Sequence, residues 1–258
     1  MADDALEVAY RRHAGAHLAA ALDPDEPGYA GRLEFSLGRL REGRKAADYL
    51  ARRYPAALPA GARVLDVGCG GGGFLFPFAA AGGRASGLDV TPHPELTAVA
   101  AGAGLAVTQV SGRGEELPFA DGAFDLVLLV ETLEHVAAPR RLGREVARVL
   151  RPGGLCYVTT PPRLRFLLGR DPHYDLPGLL LLPDRLQRWL FERFLSSEEY
   201  AVVHTFWSAA GVLRCLPGLA LTEITSKNWA GPLRRLDWDW IVAEKPGASP
   251  ASAPAGPG

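Results

Sequence analysis

The chain has 258 residues, 48% hydrophobic and 22% charged, with a formal net charge of −1. That is an ordinary globular composition, long enough to bury a substantial core in one α/β domain with an elaboration. The balanced charge supplies no global basic field for nucleic acid, and three widely spaced cysteines (Cys69, Cys156, Cys215) suggest neither a disulfide framework nor a zinc site.

The chain opens on MADDALEVAY, which lacks the basic and then apolar segments of a signal peptide. Residues 1 to 30 are polar and loosely patterned, broken by Pro24 and Pro27-Gly28. Leu33, Leu37, Leu40, Ala47, Leu50 and Tyr54 recur at helical spacing, and Pro55 and Pro59 stop that helix. Beyond Gly61 strands and helices alternate. Strands are predicted at Arg63–Val67, Ala85–Val90, Ala106–Val110, Phe124–Val130 and Leu155–Thr160. Helices are predicted at Phe74–Ala81, Pro94–Ala101 and Arg140–Leu150. Apolar strands alternating with helices imply a parallel sheet covered on both faces. From Pro161 to about Val203 the alternation lapses into an apolar, proline-bounded stretch with an amphipathic segment at Asp184–Phe194, read as a helical lid. Its longest apolar run, Leu179–Leu182, is far too short to span a membrane, which takes about 20 residues. A helix at Phe206–Leu216 and strands at Leu219–Thr225 and Trp238–Glu244 complete the sheet, and PGASPASAPAGPG has no means of packing.

The expected organisation is therefore an N-terminal helical cap (1–60), a Rossmann-like core (61–160), a lid (161–203), a C-terminal completion of the sheet (204–245) and a disordered tail (246–258). The fold class is α/β, doubly wound, with a mostly parallel seven-stranded sheet. A cytoplasmic monomer or homodimer without a transmembrane segment is the simplest expectation.

The chemistry concentrates in Val64-Leu65-Asp66-Val67-Gly68-Cys69-Gly70-Gly71-Gly72-Gly73. A strand enters, the chain turns sharply, and glycines permit a ligand to approach the backbone. Gly68-x-Gly70-x-x-Gly73 formally matches a dinucleotide fingerprint, a weak signal alone. Asp66, two residues before the first glycine, would repel a pyrophosphate but suits the ammonium of a methionine moiety. It therefore favours S-adenosylmethionine; the plainer reading is that it braces the turn. Asp89, closing the second strand, can accept from both ribose hydroxyls in either ligand class.

Further along stands Gly112-Arg113-Gly114-Glu115-Glu116-Leu117-Pro118-Phe119-Ala120-Asp121-Gly122-Ala123-Phe124-Asp125. Glu131-Thr132-Leu133-Glu134-His135-Val136 and Leu150-Arg151-Pro152-Gly153-Gly154 follow in order. With the glycine run, these motifs from about Arg63 to Thr160 resemble the type 11 class I methyltransferases, a group that includes the quinone-biosynthesis enzymes. The resemblance implies an S-adenosyl-L-methionine cofactor, released as S-adenosyl-L-homocysteine. It implies that Asp66, Gly68, Cys69, Gly70 and Gly72 surround the methionine part, Asp89 holds the ribose and Val90 packs on adenine. Gly114 and Glu115 would lie along the adenine edge, and Glu131 would face the reacting centre. Arg113 departs from the acidic residue of many relatives and offers no acceptor to the adenine amino group.

His135 follows Glu131 by one helical turn and is the candidate catalytic base; the blander reading is a helix-start histidine. In the lid, His173 and Tyr174 are candidate substrate contacts. His204 reads as a helix start, and His13, His17 and His93 as surface residues. No histidine, cysteine or acidic cluster suggests a metal. The expected partner is a small-molecule methyl acceptor, possibly hydrophobic, reached by direct in-line transfer. Rival readings are a nicotinamide-dependent oxidoreductase, which here lacks a Tyr-x-x-x-Lys pair, and a non-catalytic cofactor-binding scaffold. A nucleic-acid methyltransferase would call for an Asn/Asp-Pro-Pro-Tyr/Phe motif where Glu131-Thr132-Leu133-Glu134 stands.

Overall fold

The computed structural model describes residues 2–19, 23–26, 28–91, 93–163, 182–194, 204–227, 232, 235–236 and 238–247. Strands β1 (Arg63–Val67), β2 (Arg84–Asp89), β3 (Val107–Ser111), β4 (Phe124–Val130), β5 (Leu150–Thr159), β6 (Ala220–Thr225) and β7 (Trp240–Glu244) form one sheet in the order β3-β2-β1-β4-β5-β7-β6. The first five pair in parallel, while β7 runs antiparallel to both β5 and β6. Strand order reverses between β1 and β4. Such a switch point opens a crevice at the carboxyl ends of the two strands, where ligands of open α/β sheets bind.

Every residue of β4 is buried, which is why Phe124–Val130 reads as an unbroken apolar run. Its alternate side chains serve opposite faces. Val127 and Leu129 pack with Leu142 and Val146 of α5 (Pro139–Val149) and Val212 of α7 (Ala209–Arg214). Leu126 and Leu128 face Ala46, Ala47 and Leu50 of α2 (Tyr29–Arg53) and Phe78 of α3 (Leu75–Ala80). A third cluster joins Leu6 and Tyr10 of α1 (Ala2–Ala19) to Leu40 of α2, Phe76 of α3 and Leu96 of α4 (Pro94–Gly102). The amphipathic segment Asp184–Phe194 is helix α6.

Within the expected helical cap, the polar opening of the chain forms an 18-residue helix, α1. Its buried stripe is narrow, Leu6, Tyr10 and Ala14 together with the polar His13, so hydrophobic periodicity understates it. His13 and His93 are not surface residues but are 2% and 5% exposed. His204 begins no helix. Ser208 is the N-cap of α7, accepting from the Gly211 N–H, while His204 donates its backbone N–H to the Glu134 carbonyl. Two further expectations, the lid contacts His173 and Tyr174 and the tail beyond residue 247, lie outside the described residues.

Residues in and around the motif stretches also have structural work. Asp125, almost fully buried, accepts from the Arg63 backbone N–H at 2.8 Å and from Arg151 Nε at 2.5 Å. It thereby fastens the starts of β1 and β5 to β4. Arg148 donates to the Leu117 and Phe119 carbonyls and pairs with Glu145, whose carboxylate accepts from the Leu117 N–H. The Leu-Pro-Phe turn is therefore a packed loop, with Phe119 edge-on to Phe124 at 5.0 Å.

Candidate active site

At the end of β1 the chain enters the glycine run. Gly68 has φ 76°, in the left-handed region, and a Cβ there would lie 2.6 Å from Thr132 Oγ1. Thr132 Oγ1 in turn donates to the Val67 carbonyl at 2.8 Å, so the turns after β1 and β4 are tied together. A side chain at Gly68 would break that contact. The loop is also moored to β2, with the Gly68 and Cys69 N–H groups donating to the Leu88 carbonyl. Asp89 accepts from the Gly70 N–H at 2.8 Å through Oδ2 and from the Thr91 N–H at 2.9 Å through Oδ1. Gly72 is a turn position with φ 80°, crowded by Leu96 and Phe76.

Three cavities that share lining residues lie along the crevice. The first lies over the glycine run, floored by Asp66, Gly68, Cys69 and Gly70 and roofed by Tyr10 of α1 and Arg39 of α2. Asp66 is 3% exposed and its Oδ1 has no hydrogen-bond partner. Burial pushes its carboxyl up to about 7, with Arg39 opposing the rise and Asp89 adding to it. Cys69 is buried beside it, and burial together with the Asp66 and Asp89 charges pushes its thiol upward, away from the thiolate.

The second cavity, of about 430 Å³, shares Gly68 with the first and is bordered by Asp89, Val90, Gly114 and Glu115. Val90 is 68% exposed, an apolar surface waiting at the cavity wall. Arg113 lines this cavity too, as do Glu131 and His135. One Glu115 carboxylate oxygen accepts from the N–H of Ala138, the N-cap of α5.

The segment after β4 is a turn, not the helix that the Glu131–His135 spacing predicts. Glu131 has φ 53°, the positive value among described non-glycine residues, and the His135 N–H closes a turn onto the Thr132 carbonyl. Glu131 and His135 do meet at one cavity, as expected, though by turn geometry. Beneath them Glu134 is fully buried, and burial reinforced by the Glu131 charge pushes its carboxyl up to about 9.

The third cavity, of about 280 Å³, was not foreseen from sequence. It opens between α2, the end of β5 and β7, and shares Glu131 with the second cavity and Arg39 with the first. Tyr49, Tyr157 and Trp240 give it aromatic walls, with the Tyr49 and Trp240 rings in edge contact at 5.3 Å. Lys45 and Lys227 add positive charge, and Glu42 and Asp239 balance it. The Tyr49 and Tyr54 hydroxyls both donate to Glu223 on β6, which fixes this wall to the sheet edge. His135 does not line this third cavity.

A doubly wound sheet with its strand-order reversal at a glycine turn, an acidic residue ending β2 and a carboxylate beneath the turn is a Rossmann-like arrangement. Residues 65–158 match the type 11 family described as a methyltransferase domain. An uncharacterized methyltransferase of Mycobacterium sp. (strain JLS) is 44% identical over 101 residues, 39% of each chain. The chain thus matches about two fifths of the length of the curated relatives it resembles. Among solved structures, the PH0226 protein of Pyrococcus horikoshii OT3 aligns with a TM-score of 0.53 at 21% identity, covering 86% of this chain and 93% of that one. The 1,6-didemethyltoxoflavin-N1-methyltransferase of Burkholderia thailandensis, solved with 1,6-didemethyltoxoflavin and S-adenosylhomocysteine, aligns with a TM-score of 0.53 at 20% identity, covering 81% of this chain and 78% of that one. At these identities the structural likeness is one of fold.

Proposed function

We propose that the chain transfers a methyl group from S-adenosyl-L-methionine to a small-molecule acceptor held in the aromatic cavity. The observation that carries this reading is Asp66: a buried carboxylate oxygen without a partner, lining a cavity that shares Gly68 with the one bordered by Asp89 and Val90. A buried charge without a partner is costly, and an ammonium group would satisfy it. A pyrophosphate at the same place would face the negative charge of Asp66. The amino-acid end of S-adenosylmethionine therefore suits these residues and a dinucleotide does not. The Burkholderia fold neighbour with S-adenosylhomocysteine supports the same assignment.

In this reading Asp66 holds the ammonium, with Gly68, Cys69 and Gly70 forming the walls of the methionine cavity. Asp89 keeps lone pairs for the ribose hydroxyls after serving Gly70 and Thr91, since a carboxylate can accept about four hydrogen bonds. Val90 supplies the face for adenine, and Gly114 and Glu115 form its edge. When bound, the cofactor supplies an activated sulfonium methyl, so the protein's task is alignment. Glu131, at the junction of the second and third cavities, accepts a hydrogen bond from the nucleophile's O–H or N–H and aims it at the methyl. His135, on the nucleoside side of that junction, is the remaining base candidate. The aromatic walls suit a flat acceptor, and the mixed charges suit polar substituents on it. Thr159 at the end of β5 lines the cavity, so the residues that follow, His173 and Tyr174 among them, are proposed acceptor contacts.

The test is calorimetric titration of the purified chain with S-adenosylmethionine, S-adenosylhomocysteine and NADPH. The adenosyl ligands are expected to bind wild type, to bind Asp89→Ala more weakly, and NADPH is expected not to bind. NADPH binding without adenosyl binding overturns the proposal in favour of an oxidoreductase. Adenosyl binding of unchanged strength in Asp89→Ala overturns the ribose assignment.

A further inference from the structure

Away from the crevice, α1 and α4 bring together side chains distant in sequence. His17 Nδ1 stands 3.3 Å from Glu95 Oε1, and His93 Nδ1 stands 3.9 Å from the same oxygen. The His17 and His93 rings meet at a tilt of 62° with centroids 4.5 Å apart. One ligand atom from each of His17, His93 and Glu95 lies within 4.8 Å of the others. An ion pair between His17 and Glu95 would explain two of the three. It leaves His93, 5% exposed with its Nδ1 lacking any hydrogen-bond partner, unexplained. The backbone of His93 is held by Gln109 through an N–H to Oε1 bond of 2.9 Å, so the ring is aimed by the fold.

We propose that His17, His93 and Glu95 bind a divalent transition-metal ion of the zinc class. Two imidazole nitrogens and one carboxylate oxygen form a zinc donor set, whereas calcium and magnesium prefer oxygen alone. Tetrahedral bonds of about 2.0–2.2 Å place donors about 3.3–3.6 Å apart, which the His17–Glu95 spacing of 3.3 Å meets and to which the His93–Glu95 spacing of 3.9 Å must contract. His17 and Glu95 have side chains 42% and 39% exposed, so the ion has a path in from solvent and a water for its fourth position. The ion joins α1, the roof of the glycine run, to the first turn of α4, and so acts as a clasp between the N-terminal helix and the core. The ligands come from two distant segments, which is why no metal spacing is visible in the sequence.

The experiment strips the full chain with a chelator and titrates it with Co²⁺, followed by visible absorption, and with Zn²⁺, followed by calorimetry. One equivalent of each is expected to bind, with a tetrahedral Co²⁺ spectrum and a rise in Tm on adding Zn²⁺. His17→Ala and Glu95→Gln, both at part-exposed positions, are expected to keep the metal-free Tm and to lose affinity about tenfold or more. They are also expected to lose the Zn²⁺-dependent rise in Tm. Absence of stoichiometric binding to wild type, or equal binding by both variants, overturns the site.

Discussion

Asp66 has its carboxyl raised to about 7 chiefly by burial. Below that pH it is protonated and offers an incoming ammonium no charge; above it, the carboxylate is formed and attracts one. Affinity for S-adenosylhomocysteine is therefore expected to rise as pH increases from about 6 to about 8, with proton release on binding. Asp66→Asn should flatten that profile and weaken binding by about 10- to 100-fold, the worth of a hydrogen bond to a charged group. Calorimetry across the pH range reads both effects. Glu131 poses a different trade. Its φ of 53° costs a non-glycine residue about 1 kcal/mol. Glu131→Gly should match or exceed wild type in Tm while turnover falls, because the backbone relaxes as the carboxylate at the junction disappears. A fall in Tm without loss of turnover would show the residue to be structural.

At the scale of elements, the two turns after β1 and β4 depend on one another through Gly68 and Thr132. Gly68→Ala is expected to cost about 1–3 kcal/mol, from its φ of 76° and its contact with Thr132, and to lower Tm even without ligand. The strands of this region were legible because they are buried on both faces and their apolar residues are contiguous, as in Leu126–Val130. Helix α6 was read to the residue, since Asp184–Phe194 is amphipathic and Pro183 precedes it. The meeting of the glycine run with Asp89 was legible because a turn after β1 and an acidic residue ending β2 come together when those strands pair in parallel. Helix α1 was not, since part of its buried stripe is His13 rather than an aliphatic residue. The Glu131–His135 turn was misread because spacing of four fits a helix, and sequence does not reveal a positive φ at glutamate. The aromatic cavity escaped notice for a third reason. Tyr49, Tyr157 and Trp240 come from α2, β5 and β7, and only the antiparallel insertion of β7 beside β5 unites them.

For the molecule as a whole, buried carboxyls pull stability in opposite directions with pH. Burial alone would raise Asp125, but hydrogen bonds from Arg63 and Arg151 outweigh it and hold the group below its ordinary range. Glu223 is lowered in the same way, burial being outweighed by the Tyr49 and Tyr54 hydroxyls. These groups stabilise the fold above their unfolded pKa, and that contribution is lost as pH falls through their lower folded values. Asp66 and Glu134 are raised, so the unfolded chain ionises first and stability declines as pH climbs toward about 7 and about 9 respectively. The ligand-free chain should therefore have its highest Tm in mildly acidic buffer. S-adenosylhomocysteine should flatten the decline approaching neutrality by neutralising Asp66, a difference that melting curves across pH would reveal. The junction of cavities at Glu131 has a further consequence, in stereochemistry. In the proposed transfer, donor and acceptor occupy cavities that share Glu131 and burial holds the Cys69 thiol away from the thiolate, so the methyl is expected to pass once, without an enzyme-bound stop. A methyl made chiral with hydrogen isotopes would arrive on its acceptor inverted.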